Sequence, residues 1–324
     1  MKAAALLLVL ALSLTAIWIL SPSIQSPPEN KAFRHSGNPL NAEAKLRHAD
    51  YGRELPLPPA DRPLKETLAQ LVPAADAGNE YAACRLAMEY EYCSTLEQEL
   101  SGLNKTLRSL GDSGEARRTG VVGLLATALE EKRRHCDGFD EKELGRVAPY
   151  WRTAALKGVL PAMVHYASGR AFRSQDTLRN LDELRVFQGN AKQLIDKAVR
   201  SGSTDAIWVL AEAQRPRGDL ESGRSLLAQV VGQSGHESLV NYLLVKRAIL
   251  AFSSESLSEL PDVERRIEEV SSHLTAEEIG LASREANRRS IELGQMIDDL
   301  PLKGSILANP SLLPDFERCA PPGH

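Results

Sequence analysis

From Leu64 onward apolar residues recur at helical spacing, and no stretch alternates apolar with polar positions as a half-buried strand would. The pattern predicts an all-α body. Within it one phrase recurs around a glycine. The copies are Leu71, Ala74, Gly78, Ala82, Leu86, then Trp151, Ala154, Gly158, Ala162, Tyr166, and then Ile195, Ala198, Gly202, Ala206, Leu210. A weaker fourth is Ala228, Val231, Gly235, Leu239, Leu243. In each, the flanking positions sit at −7, −4, +4 and +8 from the glycine. The spacing predicts one helix ending at the glycine, which takes a left-handed conformation at little cost, and a second helix starting a few residues later. Alanines at −4 and +4 fall where the two axes come closest, and larger residues at −7 and +8 fill the widening gap. Such a helix pair cannot bury its apolar face alone, so the copies must stack.

The run Trp151-Arg-Thr-Ala-Ala-Leu-Lys-Gly158-Val-Leu-Pro-Ala162 resembles the Sel-like repeat, a relative of the tetratricopeptide repeat. The resemblance covers Leu64 to Phe252 and implies an α/α solenoid of stacked helix pairs that binds other proteins. The chain departs from the family in lacking a regular Gly-rich turn inside each unit and in placing Pro73 and Pro149 within helices. Its glycines are 80, 44 and 33 residues apart, and the first gap is too long for one unit.

That gap holds a second pattern. Cys93, Leu96, Leu100, Leu103, Leu107 and Leu110 follow steps of three and four, as in a coiled-coil seam. Gly111-Asp112-Ser113-Gly114 breaks the helix, and Val121, Leu124, Leu125, Ala128 and Leu129 form the apolar face of a return helix ending near His135. An antiparallel hairpin inserted over residues 94–135 is predicted. Cys93 lies 18 residues before Gly111 and Cys136 lies 22 residues after Gly114. Helices of nearly equal length bring the chain back to within about one turn (~5 Å), so Cys93 and Cys136 are predicted to form a disulfide in an oxidising compartment. Cys84 sits about 13 Å from Cys93 along one helix; it is either a buried free thiol or the partner of Cys319.

The chain's address points the same way. Ala3 to Leu20 are 18 residues without a charge, preceded by Lys2, with no further basic residue until Lys31. As a helix they span roughly 27 Å, near the thickness of a bilayer's hydrocarbon core. Residues 1–20 read either as an uncleaved membrane anchor or as a signal peptide cleaved near Ser21-Pro22-Ser23, and both place the body outside the cytoplasm. Residues 21–63 hold eight of the 18 prolines and read as an extended spacer with a short helical candidate at Asn41–Leu55. At the other end, helices over Asp262–Ser272 and Ala276–Asp299 are expected to cap the stack within residues 253–300. An irregular tail over 301–324 is expected to lie over the last repeats through Ile306, Leu312, Leu313 and Phe316.

Composition then narrows the chemistry. Lys and Arg total 39 against 43 Asp and Glu, a net charge of −4, which removes any general field for nucleic acid or anionic membrane. Aromatics are 5% of the chain, in keeping with helices rather than sheets. No nucleophile elbow, phosphate loop, dinucleotide fingerprint or zinc-protease motif occurs. Gly111-Asp112-Ser113-Gly114 reads as a turn, His165 as a packed or surface imidazole, and the Glu and Arg runs at 264–269 and 285–292 as solvated faces. No catalytic residue, cofactor or metal site is assigned. The expected function is a non-catalytic, periplasmic protein-binding scaffold that engages another envelope protein, with residues 3–20 as an inner-membrane tether if retained. The alternative is an enzyme acting on envelope or cell-wall material through an unrecognised acidic site. A third reading has the hairpin mediate self-association.

Overall fold

The computed structural model describes residues 56–110, 116–172, 180–216, 225–252, 256–297, 299 and 314–321, with only the backbone described for 109–110, 116–122 and 256–257. The readings at Ala3–Leu20, Asn41–Leu55, Ile306 and Leu312–Leu313 lie outside these residues. What is described is all-helical. The first pair is α1 (Leu64–Asp76) and α2 (Glu80–Ser94), followed by a hairpin of α3 (Leu96–Leu110) and α4 (Ala116–His135). Next come α5 (Val147–Lys157), α6 (Leu160–Ala167), α7 (Leu181–Arg200), α8 (Thr204–Gln214) and the short α9 (Leu226–Val231). The series closes with α10 (Gly235–Ala251), α11 (Leu260–Ser271) and α12 (Ala276–Leu293).

Packing follows chain order once the hairpin is set aside. Helix α1 packs on α2, α2 on α5, α5 on α6, α6 on α7, α8 on α10, and α10 on both α11 and α12. One hydrophobic cluster runs from Leu64 to Ala228 and includes Cys84, Trp151, Phe187 and Ile195. A second joins α8, α10, α11 and α12 around Tyr242, Val245 and Ala282. Helix α8 serves both, turning Ala206 and Leu210 to the first cluster and Ile207 and Ala211 to the second.

The turns have a common construction. Gly78, Gly158 and Gly202 have φ of 87°, 96° and 82°, each directly after a helix or its last turn. The next residue opens the following helix. Asn79 accepts from the Tyr81 and Ala82 amides, and Ser203 accepts from the Ala206 amide. Ala82, Ala162 and Ala206 are buried, as is Trp151. The fourth copy is a correction. Gly235 does not end a helix; it is the first residue of α10, with Ser234 as its cap. Gly232, at φ 76°, is the residue that follows α9. Gly235 instead admits close packing, since a Cβ there would lie 3.1 Å from Leu274 Cδ2 and 3.3 Å from Pro216 Cγ.

Three buried tyrosines pin one helix to another. Tyr150 of α5 donates to Asp76 of α1, Tyr166 of α6 to Glu183 of α7, and Tyr242 of α10 to Glu212 of α8. Burial and the neighbouring carboxylates push all three phenols far above their ordinary range, which keeps the donors protonated.

The C-terminal part differs from expectation in two ways. Helix α12 stops at Leu293 rather than Asp299, because Gly294 turns the chain with φ 64°. The segment beyond runs beside the α7–α8 turn. Ile297 N donates to Gly202 O at 2.9 Å, and the Asp299 carboxylate accepts from the Asp205 amide. Likewise the last part of the proline-rich spacer is not free. Pro58 is buried, and Gln70 Nε2 donates to Pro56 O at 2.7 Å.

The third turn is therefore the least forgiving. A Cβ on Gly202 would sit 2.9 Å from Gln295 O, whereas one on Gly78 would meet only the end of the Lys157 side chain at 3.7 Å. Gly78→Ala is expected to cost about 1–2 kcal/mol from the left-handed backbone alone. Gly202→Ala should cost more and also loosen the 295–299 segment. Urea unfolding of the two variants checks the order, and hydrogen exchange at the Ile297 amide checks the loosening.

Candidate functional site

Charged side chains converge on a cleft of about 740 Å³ at the root of the hairpin. It is lined by Leu96, Glu97, Arg133, Arg134, Phe139 and Glu141, with the Cys93–Cys136 disulfide forming part of its wall. Thr95 separates α2 from α3, and α4 returns the chain so that Cys136 lies beside Cys93. The sulfur atoms of Cys93 and Cys136 are 2.04 Å apart, with Cα atoms at 5.4 Å. Cys84 is bonded to Cys319, with Cα atoms at 5.5 Å, which settles between the two readings of Cys84.

Behind the cleft, α2 carries a charge cluster that its sequence conceals. Arg85 and Glu89 are one helical turn apart and both are buried. Arg85 Nε donates to Glu89 Oε1 at 2.7 Å, and His135 Nε2 of α4 meets Glu89 Oε2 at 2.5 Å. The second Arg85 nitrogen reaches Ala60 O at 3.3 Å. The cluster is roofed by the C-terminal turn Phe316–Cys319. The Arg85 guanidinium lies 4.2 Å from the Phe316 ring centre, His135 stacks on the same ring at 5.5 Å, and Tyr92 meets it edge-on at 6.1 Å. The tail thus crosses α2 and α4 at the first unit, and the placement of Phe316 over the last repeats is corrected. A ring buried among a cation and two aromatics is held by cation–π attraction and area burial. No periodicity in a proline-rich tail could announce that.

Next to it, Lys132 is buried and donates to Thr95 Oγ1 at 2.7 Å and to both Glu99 oxygens. Burial lowers the Lys132 pKa, and the Glu99 contact acts against that fall. On the opposite side of α2, His165 stacks on Trp151 at 4.3 Å and bonds Glu91 at 2.9 Å, a packed imidazole as its surroundings in the sequence indicated.

Cys93 and Cys136 are committed to a disulfide. The Ser94 hydroxyl donates to Glu91 O at 2.7 Å. Among the described residues no three His, Cys, Asp or Glu side chains converge as a metal site requires. The repeat residues Gly78, Ala82, Trp151, Gly158, Ala162, Gly202 and Ala206 build the turns and the core, and none of them lines the cleft.

One carboxylate has a strongly altered environment. Asp205 is buried on α8, its Oδ1 has no hydrogen-bond partner, and Arg170 stands 3.4 Å from Oδ2. Burial raises its pKa, Arg170 opposes the rise and Asp299 adds to it. Between the unfolded value of about 3.9 and the raised folded value, the native state holds the extra proton, so stability falls as pH rises through that window. Asp205→Asn should therefore match the wild type at acid pH and exceed it in stability at neutral pH. Thermal unfolding across pH 3 to 8 reads the crossover, and a variant less stable at neutral pH would contradict the assignment.

No helix of the described residues is long and apolar enough to cross a membrane. No protein-family model, curated protein or solved structure matches the chain.

Proposed function

We propose that the chain is a non-catalytic protein-binding scaffold of the cell envelope, built as a solenoid of Sel-like helix pairs. The observation that carries this reading is the recurrence of one turn: Gly78, Gly158 and Gly202 each take a positive φ, and helices on either side pack on their chain neighbours in succession. Such stacks present an extended surface whose use is binding. The two disulfides favour an oxidising compartment. The root cleft, lined by both acidic and basic side chains, suits a polypeptide partner of mixed charge better than a small apolar ligand.

Site-specific photocrosslinking in intact cells tests the reading. A crosslinker replacing Leu156 or Leu181, exposed leucines of α5 and α7, should give adducts of one defined mass. Ile291, exposed on the terminal helix α12, should give none. Absence of adducts at the repeat positions, or equal adducts at all three, would refute the scaffold. Recovery of the chain with Cys93 and Cys136 as free thiols in the cytoplasm would refute export.

A further inference from the structure

The C-terminal turn Phe316–Cys319 sits on the body as a bound segment would, packed on α2 and α6. Within residues 314–321 only Phe316 and Cys319 are buried, while Asp315, Glu317 and Arg318 face solvent. Among the described residues the main-chain hydrogen bonds of this segment are internal to it, from Phe316 N to Pro314 O, Arg318 N to Asp315 O and Ala320 N to Glu317 O. Two side chains three residues apart therefore hold it, one through a ring and the other through its sulfur bond to Cys84. Phe316 is buried, yet it joins neither hydrophobic cluster. Its ring fills a slot walled by Arg85, Tyr92 and His135. Those walls are fixed without help from the ring. Glu89 holds both Arg85 and His135, Ala60 O accepts a further Arg85 hydrogen bond, and Lys132 lies 4.2 Å from the Tyr92 ring centre. A slot whose polar groups are already aimed loses little freedom when a ring enters it. A guanidinium presented to the ring face favours an aromatic over an aliphatic side chain. The resident turn does not meet everything the slot offers, since His135 Nδ1 is buried without a hydrogen-bond partner.

We propose that this slot is a docking site for an aromatic-bearing peptide segment of a partner protein. In this chain the C-terminal turn fills it, and the Cys84–Cys319 bond keeps it closed. The site becomes available when that bond opens. A dithiol reductant passes two electrons and two protons to the bond and becomes a disulfide itself, leaving Cys84 and Cys319 as thiols. The freed turn then competes with the partner's segment as a tethered ligand rather than a locked one. The proposal goes beyond the scaffold reading and stands without it, since capture of a partner on the repeats would leave the outcome below unchanged.

The test is fluorescence anisotropy with a labelled peptide that has the sequence of residues 314–321 and serine in place of Cys319. The full-length chain is opened by combining Cys84→Ala, Cys319→Ala and Phe316→Ala. It should bind the peptide saturably with a Kd of about 100 μM or tighter, and the wild type should bind about tenfold more weakly or not at all. Replacing the peptide's phenylalanine by leucine should weaken binding about tenfold, through loss of the ring's contacts with Arg85 and His135. Helical circular dichroism matching the wild type shows that the opened chain is folded. If it is not, Phe316→Ala alone, with both disulfides intact, carries the test. N-acetylphenylalanine amide should then raise the unfolding temperature of that variant more than N-acetylleucine amide does, and neither should move the wild type. No saturable binding to the folded, opened chain, equal binding of the two peptides, or equal binding to the wild type would each overturn the proposal. So would the absence of a ring-selective rise in Phe316→Ala.

Discussion

Glu89→Ala is expected to lower the unfolding free energy by about 3–5 kcal/mol, the largest effect of any single charge removal in the protein. The carboxylate is fully buried and is shared between Arg85 and His135, both buried as well. Removing it leaves two donors in a low-dielectric interior without their acceptor. The size of the loss does not mean that the cluster is a net source of stability, because the desolvation of its members offsets much of their attraction. A triple replacement by apolar residues of similar volume, Arg85→Met with Glu89→Leu and His135→Phe, should therefore be close to neutral or slightly stabilising. Guanidinium unfolding of the single and triple variants separates the two statements. A triple variant as damaged as the single one would show that the charges stabilise the fold in their own right.

The second large effect is covalent. Cys84 and Cys319 are 235 residues apart, and closing so long a loop contributes about 5 kcal/mol in the chain-entropy account. Cys93 and Cys136, 43 residues apart, contribute about 4 kcal/mol on the same basis. Cys84→Ala with Cys319→Ala should cost that amount and also release the turn that carries Phe316, so limited chymotrypsin digestion should cleave after Phe316 in this variant and not in the wild type. The Cys93→Ala, Cys136→Ala pair should leave Phe316 protected and instead fray the root of the hairpin. Equal protease resistance at Phe316 in all three proteins would mean that the aromatic contacts alone keep the tail in place.

What the sequence revealed and what it hid follow from the reach of each signal. Helical periodicity and chain-reversing glycines are local, so the helices around Gly78, Gly158 and Gly202 were readable, as was the hairpin between its two apolar seams. The Cys93–Cys136 pairing needed only helix lengths. Gly235 misled because α9 is just six residues long, too short for its phase to distinguish a glycine that ends one helix from a glycine three residues later that begins the next. Helix α12 read as continuing to Asp299 because the apolar spacing persists past Gly294, and the pairing of Ile297 with the α7–α8 turn is a long-range contact. Arg85 and Glu89, spaced one turn apart, carry the signature of a solvated surface pair. Their burial is decided by His135, 46 residues beyond Glu89, and by Phe316 at the far end of the chain. The candidate site was thus legible in its scaffold and illegible in its charges.

The bond between Cys84 and Cys319 also fixes how the protein answers a pull on its two ends. Load applied there passes through α1 and the start of α2 and leaves through the sulfur bridge, so every helix from α3 to α12 lies in a closed loop that carries no tension. About 800 Å of contour, the extended length of 235 residues, is withheld from stretching as long as the bridge holds. A helical body without such a shunt lengthens helix by helix under force, whereas here only the chain outside the Cys84–Cys319 loop can extend.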